Sequence, residues 1–175
     1  ECLCGLIDYF FIESSVVVFV MEYAEEGDLL SIIDEGLKVL SLETIVKYFK
    51  QLCEAVLYLH SSKQIVHGDI KLENILINGE ENVKLTDFGL SRHASTALNH
   101  YCGSVEYSAP EVLTGKVIDP FKTDIWSMGV VLYSLLFGKF PFDAVSEKAL
   151  KSRILIHDPS YSSDNDYPDA LIAIL

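Results

Sequence analysis

Positive charge is scarce in this chain: 13 Lys and Arg stand against 26 Asp and Glu, a formal net charge of −13 over 175 residues. Nucleic acids and anionic membranes are held by clustered Lys and Arg, so neither is expected as a partner, and an acidic surface favours basic ones. Cysteine is sparse as well. Cys2, Cys4, Cys53 and Cys102 have neither a zinc-ligand spacing nor the density of a disulfide-stapled domain, and read as reduced thiols of an intracellular, cytoplasmic protein. Long apolar runs are missing too. Val16–Met21 falls far short of the roughly 20 residues that a bilayer requires, and no signal-peptide pattern precedes it. Internal repeats, low-complexity tracts and interdomain linkers are also absent, which leaves one folding unit. The chain opens on Glu1 in place of Met and closes on the apolar stretch 171–175, so both ends are expected to be cuts in a longer protein.

Half of the residues are apolar, and their spacing assigns local structure. Residues 3–12 and 16–22 are rich in β-branched and aromatic side chains around a turn-like Glu13-Ser14-Ser15, which predicts a hairpin. Leu42, Ile45, Phe49, Leu52, Val56 and Leu59 recur at helical spacing behind Ser41, predicting a capped amphipathic helix that ends near His60. Ile65–Val66, Ile75–Ile77 and Val83–Leu85 read as short strands. Residues 88–110 lack periodicity over a length that favours function. From 123 to 137 apolar residues occupy the whole helical circumference, predicting a helix buried on all sides and stopped by Gly138. Further helices are expected over 146–155 and from Pro168 onward.

Asp69 or Asp87 taken alone says little, because most loop Asp residues cap turns. The ordered series is more informative: His67-Gly68-Asp69, Lys71, Asn74, Asp87-Phe88-Gly89, Ala109-Pro110-Glu111 and Asp124-Ile125-Trp126-Ser127-Met128-Gly129. In this order and spacing it resembles the protein kinase family from the second strand to the last helix. The resemblance implies an α+β kinase-like fold, with residues 1–22 as the end of the N-terminal lobe, 23–28 as the hinge and 29–175 as a helical C-terminal lobe lacking its end. It also implies transfer of the γ-phosphate of ATP, with Mg²⁺, to protein hydroxyls. Such chemistry needs a positioned nucleophile and neutralised phosphates. By resemblance, Asp69 is the catalytic base, Lys71 offsets phosphoryl charge, and Ser104 bridges the two. Asn74 and Asp87 are the oxygen ligands suited to Mg²⁺. Met21, Glu22, Ala24, Asp28 and Leu76 form the remaining wall of the nucleotide pocket, although Met21 and Leu76 would line an apolar cleft in either case. Leu6, His67 and Phe88 resemble a stack linking the lobes. A buried Asp124 must find donors, which are expected in the backbone of the catalytic loop.

Lys71 with Gly103-Ser104-Val105-Glu106-Tyr107 resembles the serine/threonine-specific branch. Cys102-Gly103-Ser104 with Asp87-Phe88-Gly89-Leu90-Ser91 resembles the calmodulin-dependent and AMP-activated group. Asp28 and Glu73 match positions that receive basic residues upstream of a target Ser or Thr. Several features depart from the family. The Gly-rich loop, the ATP lysine and its glutamate partner do not occur in the sequence, so the chain alone is expected to be inactive. Glu111 lacks the arginine that would pair with it. The catalytic-loop arginine is replaced by Gly68 and the activation-loop threonine by His100, so control by phosphorylation at that position is not expected. Ser95 and Thr96 are alternative phosphosites if a cation such as Arg92 serves them, against a plainer reading as solvated loop residues. The alternative reading of the whole is a pseudokinase or non-catalytic interaction module, against which the retention of Asp69, Lys71, Asn74 and Asp87 argues.

Overall fold

The computed structural model describes residues 1–13, 15–34, 40–96, 103–159, 161 and 173. It opens with an antiparallel hairpin, β1 (Leu6–Ile12) and β2 (Val16–Met21), paired from Leu6 with Met21 to Ile12 with Val16 and irregular between Leu6 and Asp8. The first strand is shorter than expected. Leu3 instead makes an isolated parallel bridge with Leu85, supported by Cys4 N–H to Leu85 O (2.9 Å) and Leu85 N–H to Cys2 O (2.9 Å).

β3 (Gly27–Asp28) leads into a short helix α1 (Leu29–Asp34), which the sequence pattern did not foretell. Helix α2 (Leu42–Leu57) starts where Ser41 accepts the Thr44 N–H at 3.1 Å, so one of the orphan amide donors of the first turn is satisfied. It continues beyond His60 as a widened π turn over Tyr58–Lys63, closed by Gln64 in the left-handed region. β4 (Ile65–Val66), β5 (Ile75–Ile77) and β6 (Val83–Leu85) fall where expected. β5 lies between β3 and β6, and β4 pairs with β7 (Arg92–His93).

A short α3 (Pro110–Leu113) precedes the central helix α4 (Pro120–Phe137). Asp119 caps α4 with Pro120 in its first turn, so it begins ahead of the expected 123, and Gly138 ends it at φ 63°. Ten of its residues are buried, but Ile125 is exposed, which corrects the expectation of burial all round. Helix α5 (Glu147–Ile156) is capped by Ser146. The helix expected from Pro168 lies outside the described residues.

The main core is built from α2, α4, β5 and β6 around Ile70 and Leu72 of the loop between β4 and β5. A smaller cluster of Val105, Phe142, Leu150 and Ile154 seats α5, with Trp126 stacked on Phe142 at 6.1 Å. Among the described residues no helix is long and apolar enough to cross a membrane.

Candidate active site

The loop between β4 and β5 is fixed from below by α4. Asp124, 1% exposed, accepts the N–H of His67 (2.8 Å) and of Gly68 (2.9 Å) on its two carboxylate oxygens. The expected tie between the buried carboxylate and the loop backbone is therefore present. His60 Nε2 lies 2.7 Å from Asp124 Oδ2, a contact that the sequence did not signal because 64 residues separate the two. The His67 ring is buried, 3.0 Å from Thr86 O through Nε2 and edge-on to Phe88 at 5.0 Å. Burial lowers its pKa against the opposing charge of Asp124, so a neutral ring is favoured. Leu6 does not complete this stack. It is 55% exposed on the hairpin, whereas Cys2 and Leu3 pack on the core.

Asp69 is the focus of the loop. Lys71 Nζ stands 2.9 Å from Asp69 Oδ2, and Asn74 Nδ2 donates to both Asp69 O (2.8 Å) and Asp69 Oδ2 (3.1 Å). Burial alone lowers the Lys71 pKa, but the hydrogen bond and charge of Asp69, with Glu73 and Asp87 behind, outweigh it and hold the ammonium above its ordinary value. Ser104 shares with Asp69 a cavity of about 330 Å³ that also includes Gly89, Arg92 and Gly103. Its hydroxyl makes no hydrogen bond to Asp69 or Lys71 among the described residues, so the expected bridge is not formed here. Ser104 instead offers its carbonyl to Ser108 Oγ at 2.9 Å.

Asp87 is exposed, with φ 60°, and its Oδ1 accepts the Gly89 N–H at 3.1 Å. Its second carboxylate oxygen stays free of the described residues. Because Nδ2 of Asn74 is committed to Asp69, the side-chain oxygen of Asn74 is the atom left to bind. No group of three His, Cys, Asp or Glu able to hold a metal occurs among the described residues. One carboxylate and one amide oxygen nevertheless fit Mg²⁺, which keeps waters and substrate phosphates as its other ligands.

The expected nucleotide-side residues are placed unevenly. Asp28 and Leu76 are cross-strand neighbours between β3 and β5. Both Asp28 oxygens are taken by Ser31, through its N–H (2.9 Å) and its hydroxyl (2.8 Å), so Asp28 caps α1. Met21 is exposed opposite Leu6. Glu22 accepts the Gly5 N–H (2.6 Å) and pairs with Lys84 (3.0 Å), while Ala24 O accepts the Gly27 N–H (3.4 Å). None of these five lines the cavity that holds Asp69.

A family profile described as "Protein kinase domain" matches residues 3–169. The chain belongs to the protein kinase family. The kinase chain is 43% identical over 146 residues, 82% of its length, to human "NUAK family SNF1-like kinase 2", covering 23% of that protein. It is 43% identical to "Serine/threonine-protein kinase kin-29" of Caenorhabditis elegans over 81% of its length and 17% of the relative's. It is 46% identical to "Carbon catabolite-derepressing protein kinase" of Secale cereale over 73% and 25% respectively. The kinase chain thus spans about a quarter or less of the length of these relatives. Their names agree with the resemblance to the AMP-activated group within the serine/threonine branch, and the α+β architecture agrees with the expected kinase-like fold.

Proposed function

We propose that the chain carries catalytic-loop machinery of a serine/threonine protein kinase that moves the γ-phosphate of ATP to protein hydroxyls. The observation that supports this most is the Lys71–Asp69–Asn74 arrangement. One carboxylate is held from two sides, and a cation stands beside it where phosphoryl charge would develop. In this reading Asp69 orients the acceptor hydroxyl and takes its proton, while the Lys71 ammonium offsets charge on the transferred group. Asn74 and Asp87 would hold Mg²⁺, which supplies charge neutralisation at the phosphates when bound. Met21, Glu22, Ala24 and Leu76 provide the nucleotide wall. Ser104 lines the same cavity as Asp69 and would join Asp69 and Lys71 once substrate enters it.

Basic residues upstream of the target Ser or Thr are proposed as the substrate preference, and Glu73 supports this better than Asp28. Glu73 Oε2 accepts the Tyr107 hydroxyl at 3.2 Å, and its other oxygen is free of the described residues. Burial, with Glu73 beside it, raises the Tyr107 pKa, which keeps that hydroxyl a donor. Asp28 is already committed to Ser31.

Phosphoryl transfer from labelled ATP to a basic Ser/Thr peptide tests the reading, measured with the chain alone and with the chain extended upstream by a Gly-rich loop and its lysine. Transfer is expected from the extended form only, and Asp69→Asn should reduce it about 10²–10⁴-fold. Failure of both forms to bind MgATP calorimetrically would replace this reading with a non-catalytic module.

A further inference from the structure

Asn78 is the one Asn of the chain that is followed by Gly, and it opens the turn that joins β5 to β6. Its carbonyl accepts the Glu81 N–H (2.8 Å), and its side-chain Oδ1 accepts the N–H of Glu80 (3.2 Å) and of Asn82 (2.8 Å). Asn is a common residue for opening a turn in this way. The glycine after it is less easily explained by the fold. A Cβ on Gly79 would meet nothing closer than Glu25 Oε2 at 3.5 Å, and its φ lies outside the left-handed region. Neither packing nor backbone conformation therefore demands glycine here, yet without a Cβ the Gly79 nitrogen has an unscreened approach to the neighbouring Asn78 side chain.

One contact restrains that nitrogen. The Gly79 N–H donates to Glu25 Oε2 at 2.7 Å, across 54 positions of sequence. This bond, with one from its own backbone N–H, holds the Glu25 carboxyl below its ordinary pKa, so the acceptor is an ionised carboxylate. The adjoining Glu26 N–H bonds to Ile77 O at 3.1 Å and ties the same segment to β5. Glu25 and Gly79 are both exposed. Water competes for their hydrogen bond, which therefore opens far more readily than the core does.

We propose that Asn78 is a site of spontaneous deamidation and that Glu25 gates it by holding the Gly79 N–H. When Glu25 lets go, the Gly79 nitrogen gives up its proton and attacks Asn78 Cγ. The new C–N bond closes a succinimide ring, and the side-chain nitrogen takes a proton and leaves as ammonia. Water then opens the ring. Opening at the side-chain carbonyl gives aspartate, and opening at the main-chain carbonyl gives isoaspartate, whose backbone is longer by a methylene. The sum is amide plus water to carboxylic acid plus ammonia. Either product sets a new carboxylate beside Glu25 and Glu80 and so repels the residue that held the turn. Isoaspartate also disturbs the adjoining Ile77–Val83 pair and, through β5, the pairing of Leu76 with Asp28. None of this depends on the kinase reading.

The test is to incubate the intact chain at mildly alkaline pH, digest it, and read the peptide holding Asn78-Gly79 by mass spectrometry for NH2 replaced by OH and for isoaspartate. Product is expected from the natural chain, formed more slowly than from the same chain unfolded in denaturant. Glu25→Ala should raise the folded-state rate about threefold or more, and Glu25→Gln, which keeps an oxygen acceptor without its charge, should fall between. Hydrogen exchange at the Gly79 amide should quicken by a similar factor in Glu25→Ala, while the Val83 amide, held by Gln51, stays unchanged. Quickening of both amides would mark general loosening and overturn the gate. Gly79→Ala should slow deamidation about tenfold, folded or unfolded. Absence of product from the folded Glu25→Ala chain would overturn the site, and equal rates with and without Glu25 would overturn the gate.

Discussion

Two antiparallel ribbons of similar composition meet opposite fates in this molecule. β5 and β6 carry Ile75, Ile77, Val83 and Leu85, each 1% exposed or less, whereas β1 and β2 carry Ile7, Phe11 and Phe19, each more than 60% exposed. The difference lies in what covers them. Helix α2 packs on β6, and Gln51 Oε1 accepts the Val83 N–H at 2.8 Å while Gln51 Nε2 donates to Asn82. No described element covers the hairpin faces in this way. A run of apolar β-formers therefore specifies a strand, but burial, and with it most of the stabilisation, comes from the partner element.

The sharpest way to break this comparison uses one residue type in both regions. Asp124→Ala strands two backbone donors and His60, and should cost about 3–5 kcal/mol. Among the described residues Asp8 on the hairpin accepts only the neighbouring Tyr9 N–H, so Asp8→Ala should stay within about 0.5 kcal/mol. Denaturant midpoints at constant m-value measure both.

Ile77→Ala should cost about 2–5 kcal/mol by opening a cavity in the main core. Phe11→Ala removes a larger side chain, yet should change unfolding free energy by less than about 0.5 kcal/mol. Its visible effect is expected in light scattering, where Phe11→Lys lowers self-association of the exposed ribbon.

A smaller effect separates the regions by pH. The hairpin 6–21 has no histidine, whereas His67 is buried at the start of the loop between β4 and β5, with its pKa lowered by burial. Between that lowered value and the ordinary one near 6.5, the unfolded chain binds the extra proton. The His67 contribution is therefore complete above about pH 6.5 and is lost as pH falls through the folded-state value. His67→Phe should flatten that part of the stability profile in denaturant titrations between pH 7.5 and 5. The smallest change is expected at the junction of the two regions, where Lys84→Met removes the partly exposed pair with Glu22. Its cost should be within about 1 kcal/mol and should shrink further in high salt.

Much of this was legible in the residues. Ser41 before an apolar period of 3.6 announced α2, Gly138 announced the end of α4, and the short β-branched runs marked β4, β5 and β6. α1 and α3 were missed because four to six residues are too few for a period to show. α4 began earlier than expected because its start is set by the Asp119 cap and Pro120, which precede the apolar pattern. Among the site residues, the short-range set Asp69, Lys71 and Asn74 came together as its spacing allows. Asp28, placed on the nucleotide wall by resemblance, was taken by the nearer Ser31. Leu6, placed in the lobe-linking stack, remained on the exposed ribbon.

The sequence by itself determined the family, the order of most helices and strands, and the cluster around Asp69, because each depends on residues a few positions apart. Only the tertiary structure decided which apolar ribbon is covered, that His60 meets Asp124, and that Glu25 holds the Gly79 N–H. Those contacts join positions tens of residues apart. Such pairings arise when packed elements bring distant side chains within hydrogen-bond reach, and no local period or propensity encodes them.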